Sequence, residues 1–424
     1  MSGKASGAAI AAALAIAFTI SGCADDGGSP NPVTSVVVEP HALNLEVGGV
    51  AVVGATVTGG GDLSVDWYVD GVFGGDSISG SITQTNPATY SAPDTLPSEP
   101  EIVIKAVSRQ NASKMDSCMV TLVFTTVYVD GMNGNDETGT GVIQNPVRSI
   151  ARGIDIADSG MEVNVACGTY YEHDIDVKPG LFLVSQTGVP DCVTIDAEEQ
   201  GRIFHFIDMD TTTTIRGFTI TGGHPTGPVP QSAGGGASCD YASPVFTNCI
   251  FVGNTASYGG GVYCGNGAAP RFRNCTFAGN SAQEEGGGVS YAMNATSEII
   301  NCTFFGNSAG LDGGAVYTGF VCDITMKNSI IAFGGGGGTV QCYSAASAAH
   351  LTCCDLFGNS GGDWEGCISD QIDVGGNFSA NPVFCDTLGG DFRLGDCSPC
   401  LPGNHPGGDD CGVIGAWPQG CTCE

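Results

Sequence analysis

Basic residues are scarce: 13 Lys and Arg stand against 44 Asp and Glu, a formal net charge of -31 over 424 residues. Nucleic-acid binding draws its affinity from Lys and Arg set against phosphates, so nucleic acid is excluded as a partner, and an anionic membrane surface is equally unattractive. A polyanion such as pectate is disfavoured unless calcium intervenes. Charge of either sign is thin, 13 % of residues where a soluble domain has about 25 %. The 67 glycines follow no G-X-Y period and prolines number 20, which excludes a collagen-like chain. The apolar run Ala8 to Ile20 is too short for comfortable membrane spanning. The cysteines lack the paired CxxC spacing of zinc or iron–sulfur sites. His173, His205, His224, His350 and His405 are scattered without metal spacing, and no Gly-x-Ser-x-Gly nucleophile accompanies them. His205, between Phe204 and Phe206, is expected to face solvent from a strand.

What is present begins with export. Lys4 precedes the apolar run, which ends in Ile20-Ser21-Gly22-Cys23. That ending resembles the lipobox of bacterial lipoproteins. The resemblance implies a signal peptide over 1–22, lipidation of Cys23 and a flexible tether over 23–34. Because Ala24 follows the cysteine where an inner-membrane retention signal would place Asp, it also implies an exported protein held at the cell envelope, at the outer membrane or cell surface, touching the membrane through its lipid anchor only. The 20 cysteines suit an oxidising compartment.

Residues 35–123 alternate with the period of half-buried strands: Val36-Val37-Val38, Leu43 and Leu45, Val50 and Val52, Val65-Asp66-Trp67-Tyr68-Val69, Ile102 to Ala106 and Met119 to Val123. Short strands separated by turns over this length predict a β-sandwich with Trp67 as its core anchor. Trp67 together with Ala88-Thr89-Tyr90-Ser91-Ala92-Pro93 resembles bacterial immunoglobulin-like domains, which implies a spacer or a weak glycan or protein binder.

An internal repeat determines the reading of residues 126–424. Asn248-Cys249-Ile250-Phe251-Val252-Gly253-Asn254-Thr255-Ala256 recurs from Asn274 and from Asn301, at spacings of 26 and 27, with a degenerate copy from Asn328. Each of the first three copies leads into a glycine cluster and a short apolar strand, Gly261-Val262-Tyr263, Gly288-Val289-Ser290 and Ala315-Val316-Tyr317. An earlier rung at Ile215 to Gly223 is offset by 31 residues, with Pro225, Pro228 and Pro230 marking a longer loop. The repeat has no 3.6-residue period, so helical repeats are excluded, and strands of three to five residues joined by Gly and Asn turns remain. One repeat per turn, stacked at about 4.8 Å, predicts a right-handed parallel β-helix. Homologous side chains then form columns. Cys249, Cys275 and Cys302 share inward parity with Phe251, Phe277 and Phe304, while Asn254, Asn280 and Asn307 are expected at the next bend, in left-handed geometry with amides bonded rung to rung. Buried cysteine acts as a small hydrophobe, and a disulfide between neighbouring rungs is the alternative, with Cys239 and Cys264 the best pair.

Open solenoid ends need covers. A short helix pattern at Ile150, Ile154 and Ala157 is expected over the first rung, and disulfide-held loops from Cys385 to Cys423 over the last. Tyr128-Val129-Asp130-Gly131, Asn381-Pro382-Val383-Phe384, Gly390-Asp391-Phe392-Arg393-Leu394 and Ile414-Gly415-Ala416 resemble the opening and closing of secreted pectate-lyase-like β-helix proteins. The Gly-Asn-Ser/Thr-Ala repeats resemble those of chlamydial polymorphic outer-membrane proteins. The resemblance implies the fold; that fold hosts lyases, hydrolases and adhesins alike.

Site signals are sparse. A calcium-dependent lyase needs carboxylates and an Arg or Lys base; Asp196 and Asp240 are the calcium candidates, and Arg271 and Arg273, on one outward strand face, the basic ones. A hydrolase needs two carboxylates across a groove, and Asp208 and Asp210 have the parity to point the same way from one strand. Reading these acids as solvated turn residues is the alternative. No resident cofactor is expected beyond calcium. The composite expectation is a monomeric, non-catalytic surface lipoprotein that presents a long face to a glycan or a surface protein. The alternative is a polysaccharide lyase or glycoside hydrolase, which a groove with aromatics and close carboxylates would favour.

Overall fold

The computed structural model describes residues 32–423. The expected signal peptide, the expected lipidation site Cys23 and most of the expected tether lie outside the described residues. The chain divides into two compact units, the first reaching Phe124 and including Val142–Gln144, the second formed by Thr125–Gly141 and Asn145 onward.

In the first unit, period-2 alternation puts every second side chain inward, so that Val65, Trp67 and Val69 are buried on one strand and Ile102, Ile104 and Ala106 on its neighbour. Two five-stranded sheets result, and their inner faces share one core. Ser35–Glu39, Val50–Thr58, Ala88–Ser91 and Gly80–Ile82 follow one another across the first sheet; Ala42–Glu46, Met115–Val123, Glu101–Ser108 and Val65–Val69 do so across the second. Ala42–Glu46 pairs in parallel with the end of Met115–Val123. Trp67 is fully buried and its indole N–H donates to the Thr85 carbonyl at 2.9 Å, which satisfies the one polar atom that its burial would otherwise strand.

The second unit is built from parallel sheets of nine, eight and seven strands. A single turn shows the construction: Arg271–Arg273 joins the first sheet, Thr276–Ala278 the second and Val289–Met293 the third. Each strand pairs in register with its homologue one rung away, as in Phe251↔Phe277↔Phe304. This is an all-β right-handed parallel β-helix. A smaller, three-stranded sheet, Thr255–Tyr258, Ser281–Glu285 and Ser308–Ala309, bridges the second and third faces over three rungs.

Inside the solenoid, the Phe251, Phe277 and Phe304 rings stack with centroids 5.0 and 4.6 Å apart. Asn280 Oδ1 accepts from the Asn254 backbone N–H at 3.0 Å, Asn307 Oδ1 accepts from that of Asn280 at 3.0 Å, and each Nδ2 also donates to a carbonyl of the preceding rung. The expected left-handed backbone is elsewhere. Positive φ falls on Gly253, Gly279 and Gly306, one residue before each ladder asparagine, and on Asn248, Asn274 and Asn301, at 52° in all three. The glycine turns the corner without a Cβ penalty, which leaves the buried asparagine free to serve its amide inward.

Cys249, Cys275 and Cys302 are buried free thiols in one column. The proposed Cys239–Cys264 bridge is corrected: the two are register neighbours on the third sheet, yet both are free and buried. Neighbouring rungs can be bridged, as Cys167 and Cys192 are just before the in-register pair Gly168↔Val193, with Cα atoms 4.6 Å apart, but Cys239 and Cys264 stay reduced and fill the interior as small hydrophobes. The described residues instead contain five bridges, Cys167–Cys192, Cys342–Cys367, Cys353–Cys411, Cys385–Cys421 and Cys397–Cys423.

The helix Ile150–Ile156 buries Ile150 and Ile154; Ser149 caps it, and the Glu172 carboxylate accepts from the N–H groups of Ile150 and Ala151. Its free N–H groups thereby gain acceptors. At the other end, the chain after Cys411 runs back along the outside of the second sheet: Gly415 N–H donates to Asn328 O, Ala416 N–H to Thr303 Oγ1 and Trp417 Nε1 to Thr276 Oγ1. Thr276 and Thr303 are consequently buried although they point out of the solenoid.

Candidate functional site

The third sheet carries an outward column that changes character along its length. In register, one residue per rung, it reads Asp176, His205, Ser238, Tyr263, Ser290, Tyr317 and Gln341. Two positions further along the strands come Asp240, Gly265, Ala292 and Gly319, and beyond these Met293 pairs with Phe320. Ser238, Ser290 and Tyr317 are nonetheless buried and the Tyr263 ring lies over Gly265, so the track left to solvent runs past Tyr263, Ala292, Met293 and Phe320.

Two adjoining recesses occupy this track. The larger, about 450 Å³, is lined by Asp174, Asp176, Arg202, His205, Asp240 and Tyr263 among others. The smaller, about 280 Å³, is lined by Val229, Tyr258, Tyr263, Glu285, Tyr317, Phe320 and Tyr343, with Ser290, Ala292 and Gly319 also among its lining residues. Tyr263 borders both. His205 Nδ1 lies 3.0 Å from Asp176 Oδ1, and Asp240 Oδ1 accepts from Asn266 Nδ2 at 2.7 Å. The Asp176 side chain is 86 % exposed, so its pairing with His205 contributes little to stability and leaves the carboxylate open to solvent.

Burial shapes the electrostatics. It pushes the Tyr263 and Tyr317 hydroxyls up from their ordinary range, with Asp240 adding to the effect at Tyr263 and Glu285 at Tyr317. Burial also raises Glu285, where the Tyr317 hydroxyl works against the shift and Asp312 adds to it. Both tyrosines are thus neutral at physiological pH, and the buried Tyr317 hydroxyl is engaged by Glu285. Arg202 is only 8 % exposed; burial pushes it down, and Asp174 and Asp176 oppose that.

The residues expected from sequence to do chemistry are not here, with one exception. Asp208 and Asp210 do not share a strand face: Phe204–Ile207 ends first, Asp208 has a φ of 49°, and the Asp210 carboxylate is turned back onto the Thr212 N–H at 2.9 Å. Arg271 and Arg273 do share an outward face, but on the first sheet, and both are engaged by Glu298 at 3.5 and 3.4 Å. Asp196 lies on the second sheet and Asp240 on the third, so the calcium candidates are not brought together. Among the described residues the one group of three potential metal ligands is Asp396, Cys397 and Cys423, whose cysteines are bonded to each other. Asp240 alone enters the groove. The tyrosines were visible in the sequence, since Tyr263 and Tyr317 sit at the same place after their glycine clusters, but the intervening Ser290 hid the alternation.

Residues 204–379 match the family described as right handed beta helix region. No curated protein and no solved structure matches the chain. Fold and groove together define the class: a parallel β-helix solenoid with an extended surface capable of binding.

Proposed function

We propose that the protein is an exported, lipid-anchored envelope protein that binds a neutral glycan chain along the third face of its β-helix. The observation that carries the reading is the aromatic lining of the smaller recess, where Tyr343 and Phe320 are exposed and Tyr258 and Tyr263 half-buried beside Ala292. Tyrosine offers an apolar ring face and a hydroxyl together, which suits sugars. Asp174, Asp176, Asp240 and Glu285 argue against a uronate or sulfated ligand, since the nearby cation, Arg202, is buried. The strand order of the first unit, with its parallel pairing of Ala42–Glu46, supports an immunoglobulin-like spacer. Ile20-Ser21-Gly22-Cys23 supports the anchor.

The test is a glycan array probed with residues 24–424 and with a Tyr263→Ser/Tyr343→Ser variant. Wild-type binding to neutral chains that falls about tenfold or more in the variant is expected. Binding confined to anionic chains, or unchanged in the variant, overturns the reading. Glu285 favours hydrolysis as a second reading, because a carboxyl raised by burial is suited to protonating a leaving group. New reducing ends in retained glycans, abolished by Glu285→Gln, would establish it.

A further inference from the structure

The loop between the second and third faces at Gly222–Gly236 is longer than its counterpart one rung later, Gly253–Gly261, and replaces the bridging strand Thr255–Tyr258 found there. The extra chain borders the groove: Pro225, Thr226, Pro230 and Gln231 line the larger recess and Val229 the smaller. Thr226 to Gln231 are exposed, whereas Ser232 and Ala233 are buried and root the loop in the wall of the solenoid.

Arg202 holds this loop in place. Its Nη2 donates to the carbonyls of Pro230, at 3.4 Å, and Gln231, two consecutive peptide groups. Burying a guanidinium is costly unless its donors are used, and here Nη2 is spent on loop backbone. Asp174 and Asp176 stabilise the buried charge. Two further bonds fasten the loop at its ends, His224 N–H to Gly201 O at 2.8 Å and Ser257 N–H to Ser232 O at 2.8 Å. Pro225, Pro228 and Pro230 restrict the backbone between them, so the wall is stiff before any ligand arrives.

Resting on the glycan-binding reading above, we infer that the Arg202-anchored loop 224–232 is a specificity-determining wall that closes one side of the groove and restricts it to unbranched chains. Arg202 is a positioning residue in this scheme, not a ligand contact. A branch projecting toward Val229 and Pro230 meets the loop, while a linear chain passes between the loop and the accessible Tyr263 and Tyr343 of the smaller recess. Specificity then comes from steric exclusion of the wrong ligand, with the binding surface left unchanged.

Three proteins distinguish the outcomes: wild type, Arg202→Met, and a loop replacement in which Gly253–Gly261 is copied in place of Gly222–Gly236. The replacement uses a segment the fold already accommodates one rung away, so it guards against Arg202→Met failing to fold. Each is probed on an array holding linear and branched neutral glycans of matched backbone, with hydrogen exchange of residues 224–232 as a second measurement. The inference expects wild type to bind linear chains, and both variants to gain branched chains by about tenfold relative to linear ones, with faster exchange of the loop in Arg202→Met. Wild-type binding with an identical branched-to-linear ratio in both variants overturns the wall and leaves the glycan reading standing. No wild-type binding to any glycan overturns that reading and the wall with it.

Discussion

Asn280 shows how much a single side chain can organise in a solenoid. Its Oδ1 accepts from both the backbone N–H and the Nδ2 of Asn254, and its own Nδ2 donates to the Phe251 carbonyl. Asn280→Ala strands buried groups on two rungs at about 1–3 kcal/mol each, so we expect a loss of several kcal/mol in urea unfolding and no change in surface charge. Asp355 gives the residue scale a pH dependence. Burial pushes its carboxyl from 3.8 up to about 7, although Ala380 N–H and Cys400 Sγ both bond it. Between those two values the unfolded chain has released the proton and the folded one still holds it. Stability should therefore fall as pH rises from about 4 to 7 and level off above, by on the order of a few kcal/mol. Asp355→Asn keeps both contacts in an uncharged group, and the difference in thermal midpoint between the two proteins should grow across that window. A difference that is flat with pH would contradict the assignment.

The C-terminal tail is the element whose position sequence patterning did not anticipate. Its closing motif suggested a cover over the last rung, but Gly415, Ala416 and Trp417 bond to Asn328, Thr303 and Thr276, each one rung further back. The outward threonines on the second sheet read as solvent-facing until the tail is seen to cover them. Removing the indole donor and its packing in Trp417→Ala should speed hydrogen exchange at Val413–Trp417 while the exchange of Phe277 and Phe304 stays slow, because those core strands keep their own ladder. The proposed groove wall was announced more faintly, by a spacing of 31 where the rungs after it keep 26 or 27, and by three prolines. That signal gave the length of the loop. It gave neither its direction nor the guanidinium that holds it.

At the scale of the molecule, the net charge of -31 sets which partners approach. DNA and heparin should not be retained at low ionic strength, where attraction between opposite charges is strongest; retention of either would contradict the charge argument. Retention of a neutral glycan, by contrast, should vary little with salt, since stacking and neutral hydrogen bonds carry it. The buried thiols at Cys249, Cys275 and Cys302 and the five disulfides divide the cysteines by place: thiols fill the interior columns, while three bridges bind the segment beyond Cys353.

The sequence alone determined the solenoid, its rung length, the inward columns and the separate β-rich first segment, because a repeat presents the same local environment on every turn and so writes its geometry as a period. Tertiary structure decided the rest. Asp176, His205, Tyr263 and Tyr317 share one face only because parallel stacking brings residues of successive rungs to neighbouring strands, and the Arg202 side chain finds Pro230 only across a turn of the helix. A period reveals what each rung shares, whereas a binding site is made from the residues in which the rungs differ.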